Sequence, residues 1–243
     1  MNGPADALAL AGIVLAGSTV QRMSGMGFAL VAVPSLVLLV GPGEGVGLSN
    51  CASLLISAVG LIDTWRQVRL TAMVPLVAAA ACTVPAGAWA LGHVPEPGLL
   101  TGMGLLVVLA VTVIACGVRV PALRGRGGAL TAGAASGFMN ASAGVGGPAV
   151  SLYAVNAEWS VAEFVPNAQF YGVVVNAFSL AAKRGLPHLA PPVWALAAAG
   201  MAVGTLAGRV LADRVPERWA RVVILTLALA GGVTTTAKGL WSM

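Results

Sequence analysis

Long apolar stretches, punctuated by short polar ones, run the whole length of the chain. They fall at about residues 5–20, 26–41, 46–62, 72–92 and 98–118, and again at about 128–141, 145–156, 163–182, 191–212 and 219–240. Apolar runs of ~17–25 residues are enough to cross ~30 Å of hydrocarbon. The pattern therefore predicts an all-α polytopic membrane protein with about eight transmembrane helices. A basic link from Arg119 to Arg126, containing Pro121 and Gly125, separates the two sets. Residues 128–156 are too few for two full spans. Either a glycine-broken helix crosses once there, or a re-entrant hairpin enters and leaves on one side.

The two sets align at a nearly constant offset. Gly25 meets Gly144, Glu44 meets Glu163, Asn50 meets Gln169, Ser57 meets Asn176 and Leu70 meets Leu189, each 119 positions on. At an offset of 121, Gly87 meets Gly208 and Val94-Pro95-Glu96 meets Val215-Pro216-Glu217. This predicts two homologous repeats, 1–120 and 127–243, as halves of one bundle. A hairpin plus three crossings makes an odd count and inverts the halves; a broken single crossing plus three makes them parallel. Loop charge does not separate these arrangements. Arg66, Arg69, Arg119, Arg124 and Arg126 share a side in both; the inverted one adds Arg214, Arg218 and Arg221, the parallel one Lys183, Arg184 and Lys238. Non-helical backbone at membrane depth favours inversion, since it commonly belongs to inverted repeats.

Composition agrees with a membrane chain and narrows the function. Apolar residues make up 58% and charged residues 9%, where a soluble domain carries ~25% charge. That excludes a soluble catalytic or nucleic-acid domain. The net charge of +5 is read as loop charge that fixes orientation, with no nucleic-acid partner. Cys51, Cys82 and Cys116 stand singly in apolar segments and are expected to be buried thiols, not a metal site or a disulfide. The first segment has no basic start and is read as a membrane segment, not a removed leader. No GxxxxGK[ST], HExxH or GxSxG motif occurs, so no enzyme, metal or cofactor is expected.

The candidate site lies at the glycine breaks. Gly25 and Gly27, and Gly144, Gly146 and Gly147, interrupt apolar stretches at matching points of the two sets. Such matched breaks are a pointer to a secondary-transporter site, because half-helix starts present free N–H groups and a positive dipole end to anions. Close packing through small residues is the structural alternative. Gln21, Arg22 and Ser24 precede the first break, Asn140 and Ser142 the second, and Gln21 is the equivalent of Asn140. The amides either bind an oxyanion or satisfy carbonyls freed by the unwound backbone. Arg22 either recognises an oxyanion or snorkels to the interface. Asn50, Ser53 and Ser57, with Gln169, Tyr171 and Asn176, form a second polar set at helical spacing that faces the bundle interior. Glu44, Glu163, His93 and His188 read as segment-end or loop residues.

Gln21-Arg22-Met23-Ser24-Gly25-Met26-Gly27-Phe28-Ala29-Leu30-Val31-Ala32-Val33-Pro34 resembles the first-repeat signature of the sulfite exporter TauE/SafE family. Gly137-Phe138-Met139-Asn140-Ala141-Ser142-Ala143-Gly144-Val145-Gly146-Gly147-Pro148 is similar to its second-repeat signature. The resemblance covers essentially the whole chain. It departs at Phe28, where many members carry a third glycine, and at Arg22, where a small residue is usual. It implies an inner-membrane permease moving sulfite, a sulfonate or a related small organic anion outward. The sequence reading thus expects an anion site formed by Gln21, Arg22, Ser24, Gly25, Gly27, Asn50, Asn140, Ser142, Gly144, Gly146, Gly147 and Gln169. The partners it expects are the anion and the bilayer, with coupling to protons or membrane potential because no ATPase motif is present. Gly200, Gly204 and Gly208 suit contacts either within one chain or in a homo-oligomer. The rival readings are a non-transporting membrane partner or assembly protein, and a cation importer, which the scarcity of membrane-depth carboxylates disfavours.

Overall fold

Helix dominates the described chain. A computed structural model describes residues 4–25, 27–117, 124–183, 185–212, 214 and 217–243, with the backbone alone for Pro4 and 217–221. Met26, Arg119, Pro121, Arg184, Val215 and Pro216, and the side chains of Glu217, Arg218 and Arg221, lie outside the described set. Among the described residues ten helices follow one another: α1 Pro4–Ser24, α2 Phe28–Val40, α3 Pro42–Ile62, α4 Leu70–His93, α5 Glu96–Ala115, α6 Gly125–Ala143, α7 Gly147–Asn156, α8 Val161–Ala182, α9 Pro191–Ala212 and α10 Glu217–Trp241. A 3-10 turn, Trp65–Gln67, joins α3 to α4. Among the described residues six helices are long and apolar enough to cross a bilayer: α1, α3, α4, α5, α9 and α10. Leu8, Ile62, Val74, Trp89, Leu109 and Leu206 lie exposed. An apolar surface of this kind is unfavourable in water and at ease against lipid.

Both short pairs are antiparallel hairpins. On the first, Gly17 of α1 abuts Phe28 and Ala32 of α2, and Leu10 shares a cluster with Leu36. On the second, Arg124 at the start of α6 pairs with Glu158 just beyond α7 at 3.1 Å, and Ser136 donates to the Gly146 carbonyl at 2.7 Å. Of the two local arrangements open to residues 128–156, the chain adopts the turn-back. Each turn is made by glycine because the helix ends in a left-handed residue. Gly25 has φ +77° and Gly144 φ +70°. Gly25 N–H donates to the Gln21 carbonyl at 2.9 Å and Gly144 N–H to the Asn140 carbonyl at 3.0 Å.

Helix directions follow from contacts. α3 runs from the Gly41 end of the bundle to the Arg66 end, and α8 runs back beside it. Arg69 pairs with Glu163 at 2.7 Å at one end, and His188 N–H donates to Glu44 at 2.8 Å at the other. Between these ends Gly60 abuts the Gln169 amide, and Gly172 abuts Ser57. The α1–α2 hairpin has its open end towards Gly41, and the α6–α7 hairpin has its open end towards Arg66. The two tips overlap in depth beside α3 and α8.

Small residues let the hairpins seat deeply. α6 lies against α4 with Gly133 on the Leu76 backbone and Gly137 on the Ala80 backbone and Thr83. α1 lies against α9, where Gly200, Gly204 and Gly208 meet the Ala11, Leu15 and Thr19 carbonyls. Thr19 also donates to the Gly204 carbonyl at 3.1 Å, so this glycine row is used within the chain. Only part of the thiol expectation holds: Cys51 is buried, but Cys82 and Cys116 are exposed. Single small thiols suit either a lipid-facing helix surface or the core. Glu44 and Glu163 sit in the first turns of α3 and α8, and Ser160 with Glu163 forms a capping box.

Gly137→Val drives a branched side chain into the α4 backbone and is expected to destabilise the fold by about 2 kcal/mol. Gly102→Ala meets nothing within 4 Å and is expected to leave stability unchanged or raise it by up to ~1 kcal/mol. Thermal unfolding of both variants in detergent checks the contrast.

Candidate functional site

Where the two hairpin tips approach α3 and α8, the bundle encloses a cavity of about 550 Å³. Its inner end is polar. Gln21, Ser24, Ser53, Ser57, Asn140, Ser151, Tyr171 and Asn176 line it, together with Gly27, Gly146, Gly147 and Pro148 at the hairpin turns. Its mouth is apolar, framed by Ile114, Val155, Val161, Phe164, Ala212 and Ile224. Those residues sit at the Arg66 ends of α5, α7, α8, α9 and α10, so the cavity opens towards that end of the bundle. None of the described lining residues is charged.

The amide one turn before each glycine turn anchors its hairpin to the neighbouring long helix. Gln21 Nε2 donates to Ser57 Oγ at 3.1 Å and, more weakly, to the Ser53 carbonyl at 3.4 Å. Asn140 Nδ2 donates to Asn176 Oδ1 at 3.1 Å and to Ser179 Oγ at 3.0 Å. Asn176 Nδ2 in turn donates to the Gly172 carbonyl at 2.7 Å. All five side chains are buried, where polar groups must find partners. Each amide therefore does two local jobs. Its own carbonyl receives the N–H of the left-handed glycine, and its side chain ties the hairpin to α3 or α8. Both N–H groups of Gln21 and of Asn140 are thereby engaged, which leaves donation towards the cavity to hydroxyls and helix starts.

The start of α7, with Pro148 at its second position, and the start of α2 at Phe28 both border the space. Helix starts leave backbone N–H groups without intrahelical partners. Neutral amides, hydroxyls and two helix N-termini form a surface suited to a small anion or a polar neutral molecule. A hard cation would find few oxygen donors, and the described residues contain no cluster of metal-ligating side chains.

The twelve sequence-predicted site residues divide into two groups. Gln21, Ser24, Gly27, Asn140, Gly146 and Gly147 line the cavity. Gly25 and Gly144 cap the helices behind it, against Val165 and Val33 respectively. Arg22 turns its Cβ towards Gly208 of α9. Ser142 donates back to the Phe138 carbonyl at 2.7 Å. Asn50 and Gln169 are buried in the α3 and α8 interior and do not border the cavity. The second polar set supplies four further lining residues, Ser53, Ser57, Tyr171 and Asn176. Ser151 and the apolar mouth carried no signal in the sequence beyond ordinary helix composition.

The sequence profile of the sulfite exporter TauE/SafE family matches residues 9–235. No curated protein matches, and no solved structure matches.

Asn140→Ala removes two buried hydrogen bonds. Side-chain hydrogen bonds within membranes average ~0.6 kcal/mol each, so the expected loss is about 1 kcal/mol. Asn140→Ala combined with Asn176→Ala is expected to lose less than the sum of the single losses, since the two act as one unit. A double-mutant cycle of unfolding in detergent measures the coupling.

Proposed function

The chain belongs to the sulfite exporter TauE/SafE family of membrane permeases, and on that premise we propose that it is a secondary transporter of a small anion such as sulfite or a sulfonate. The observation that carries this reading is the cavity at the hairpin tips, whose inner wall offers neutral donors and two helix starts. Gln21, Asn140, Ser57 and Asn176 would contact the anion, with Ser24, Gly27, Gly146 and Gly147 bordering it. Arg22, turned to α9, is assigned no contact. A non-transporting membrane partner would fill this space with packed apolar side chains; a cavity with convergent polar groups favours the transporter.

The same reading makes the chain two inverted repeats. Element lengths correspond at the offset of 119: α3 Pro42–Ile62 with α8 Val161–Ala182, and α1 Pro4–Ser24 with α6 Gly125–Ala143. Gln21 bonds Ser57 and Asn140 bonds Asn176, and both partners are related by that offset. α3, α4, α5, α8, α9 and α10 would cross the bilayer, and the two hairpins would enter from opposite faces. Arg66, Arg69, Arg124, Arg126 and Arg214 then share one face, which the positive-inside tendency assigns to the cytoplasm. The cavity mouth lies on that side, as an exporter requires while loading. With no ATPase motif in the chain, coupling is to protons or the membrane potential; flux that persists after both gradients collapse would exclude it.

Sulfite or methanesulfonate is expected to raise the unfolding temperature of the purified protein by mass action. The shift is expected to vanish in Gln21→Ala and Asn140→Ala and to persist in Arg22→Ala. A shift that survives both amide variants would place the anion elsewhere. Cys116, exposed just beyond α5, is expected to react with an impermeant thiol reagent in inside-out vesicles and not in intact cells.

A further inference from the structure

One basic side chain is enclosed with nothing to bind. Lys183 caps the C-terminus of α8 at the Gly41 end of the bundle, away from the cavity mouth. Its Nζ is sealed from solvent and has no hydrogen-bond partner among the described residues, although its stem is only half-buried. An ammonium shut away from water with no counter-charge is unfavourable, and proteins rarely keep one without a use.

Its placement ties it to the cavity. Asn176, Ser179 and Lys183 stand three and four residues apart on α8, so they share one helix face. Asn176 lines the cavity, and Asn140 bridges Asn176 to Ser179. A polar file therefore runs from the cavity floor, past the α6–α7 hairpin tip, towards Lys183. On α3, Gly47 abuts Pro187 and Ser57 abuts Gly172, so the intervening Ser49, Asn50 and Cys51 lie alongside the Lys183 end of α8. Ser49 and Asn50 carry three more buried polar atoms without partners: Ser49 Oγ, Asn50 Oδ1 and Asn50 Nδ2. The hairpin tip lies over this cluster, with the Cβ position of Gly144 within 3.7 Å of Ser49 Oγ. Val145, Val33 and Val46 pack together at the same level.

We propose that Lys183, Asn50 and Ser49 form a second anion subsite on the far side of the α6–α7 tip, with Lys183 supplying the cationic contact that the cavity lacks. The proposal rests on the transporter reading for its purpose but not for its geometry. In this conformation the Gly144–Val145 tip closes the subsite off from the cavity. A tip displaced towards the Arg66 end would let an anion pass from Gln21 and Asn140 to the ammonium, and from there towards the Gly41 end.

The test uses Cys51 as a reporter and methanesulfonate as the probe, an anion inert to maleimides. In a Cys82→Ser/Cys116→Ser background reconstituted in liposomes, methanesulfonate is expected to change the rate of Cys51 maleimide labelling at least threefold relative to chloride. The effect is expected to be lost in Lys183→Gln and kept in Lys183→Arg and Arg22→Gln. Labelling unaffected by methanesulfonate, or an effect undiminished in a folded Lys183→Gln protein, overturns the subsite. Should Lys183→Gln not fold, Lys183→Arg and Asn50→Ala decide. Loss of the effect in Asn50→Ala supports the subsite, and an unchanged effect there overturns it. Methanesulfonate flux is measured in the same liposomes. Flux without a labelling effect removes the subsite and leaves the transporter; a labelling effect without flux does the reverse.

Discussion

Backbone that stops being helical at membrane depth must find partners inside the protein, because hydrocarbon supplies none. Two glycine turns buried inside the bundle, at Gly25 and Gly144, fix the architecture of the chain. Each is relieved in the same way: a left-handed glycine returns its N–H to the carbonyl of Gln21 or Asn140. The amide of that same residue then reaches across to α3 or α8. The turns thereby become attached to α3 and α8, the two long helices that carry most of the buried polar side chains. Cavity, hairpin and central helix pair are one construction, and an apolar residue at position 21 or 140 would disturb all three together.

The division of polar and apolar surface follows from that attachment. α8 carries Asn167, Gln169, Asn176 and Ser179 in buried positions, which explains why it is long enough to cross a bilayer yet absent from the strongly apolar spans. Such a helix is tolerable only when enclosed. α3, α4 and the α6–α7 hairpin enclose it, while α5, α9 and α10 leave Leu109, Leu206 and Leu227 exposed.

Much of this was legible in the sequence because the signals were compositional or periodic. Apolar segment positions and glycine breaks need no tertiary knowledge. The turn-back at residues 144–146 was not decidable from spacing, since a broken crossing and a hairpin use the same residues; the Arg124–Glu158 pair is what distinguishes them. Arg22 does not border the cavity, for a related reason. Neighbouring helix positions point ~100° apart, so a residue adjacent to a cavity-lining amide faces elsewhere, here towards α9. Lys183 looked like loop charge because it follows the last apolar residue of its segment. Only its register with Ser179 and Asn176 hinted otherwise. Asn50 and Gln169 were correctly read as interior, but burial alone does not say which interior space a side chain meets.

The two hairpins differ in how long they wait for their packing partners. α6 lies on α4, which precedes it in the chain, so its glycine face can be covered as soon as it enters the bilayer. α1 lies on α9, and 166 residues separate Ser24 from Pro191. At synthesis rates of ~5–20 residues per second, the surface of α1 that receives the α9 glycines stays uncovered for about 10–40 s. The bundle is thus closed by its oldest segment last, and insertion of α9 is the event that gives the first hairpin a fixed place.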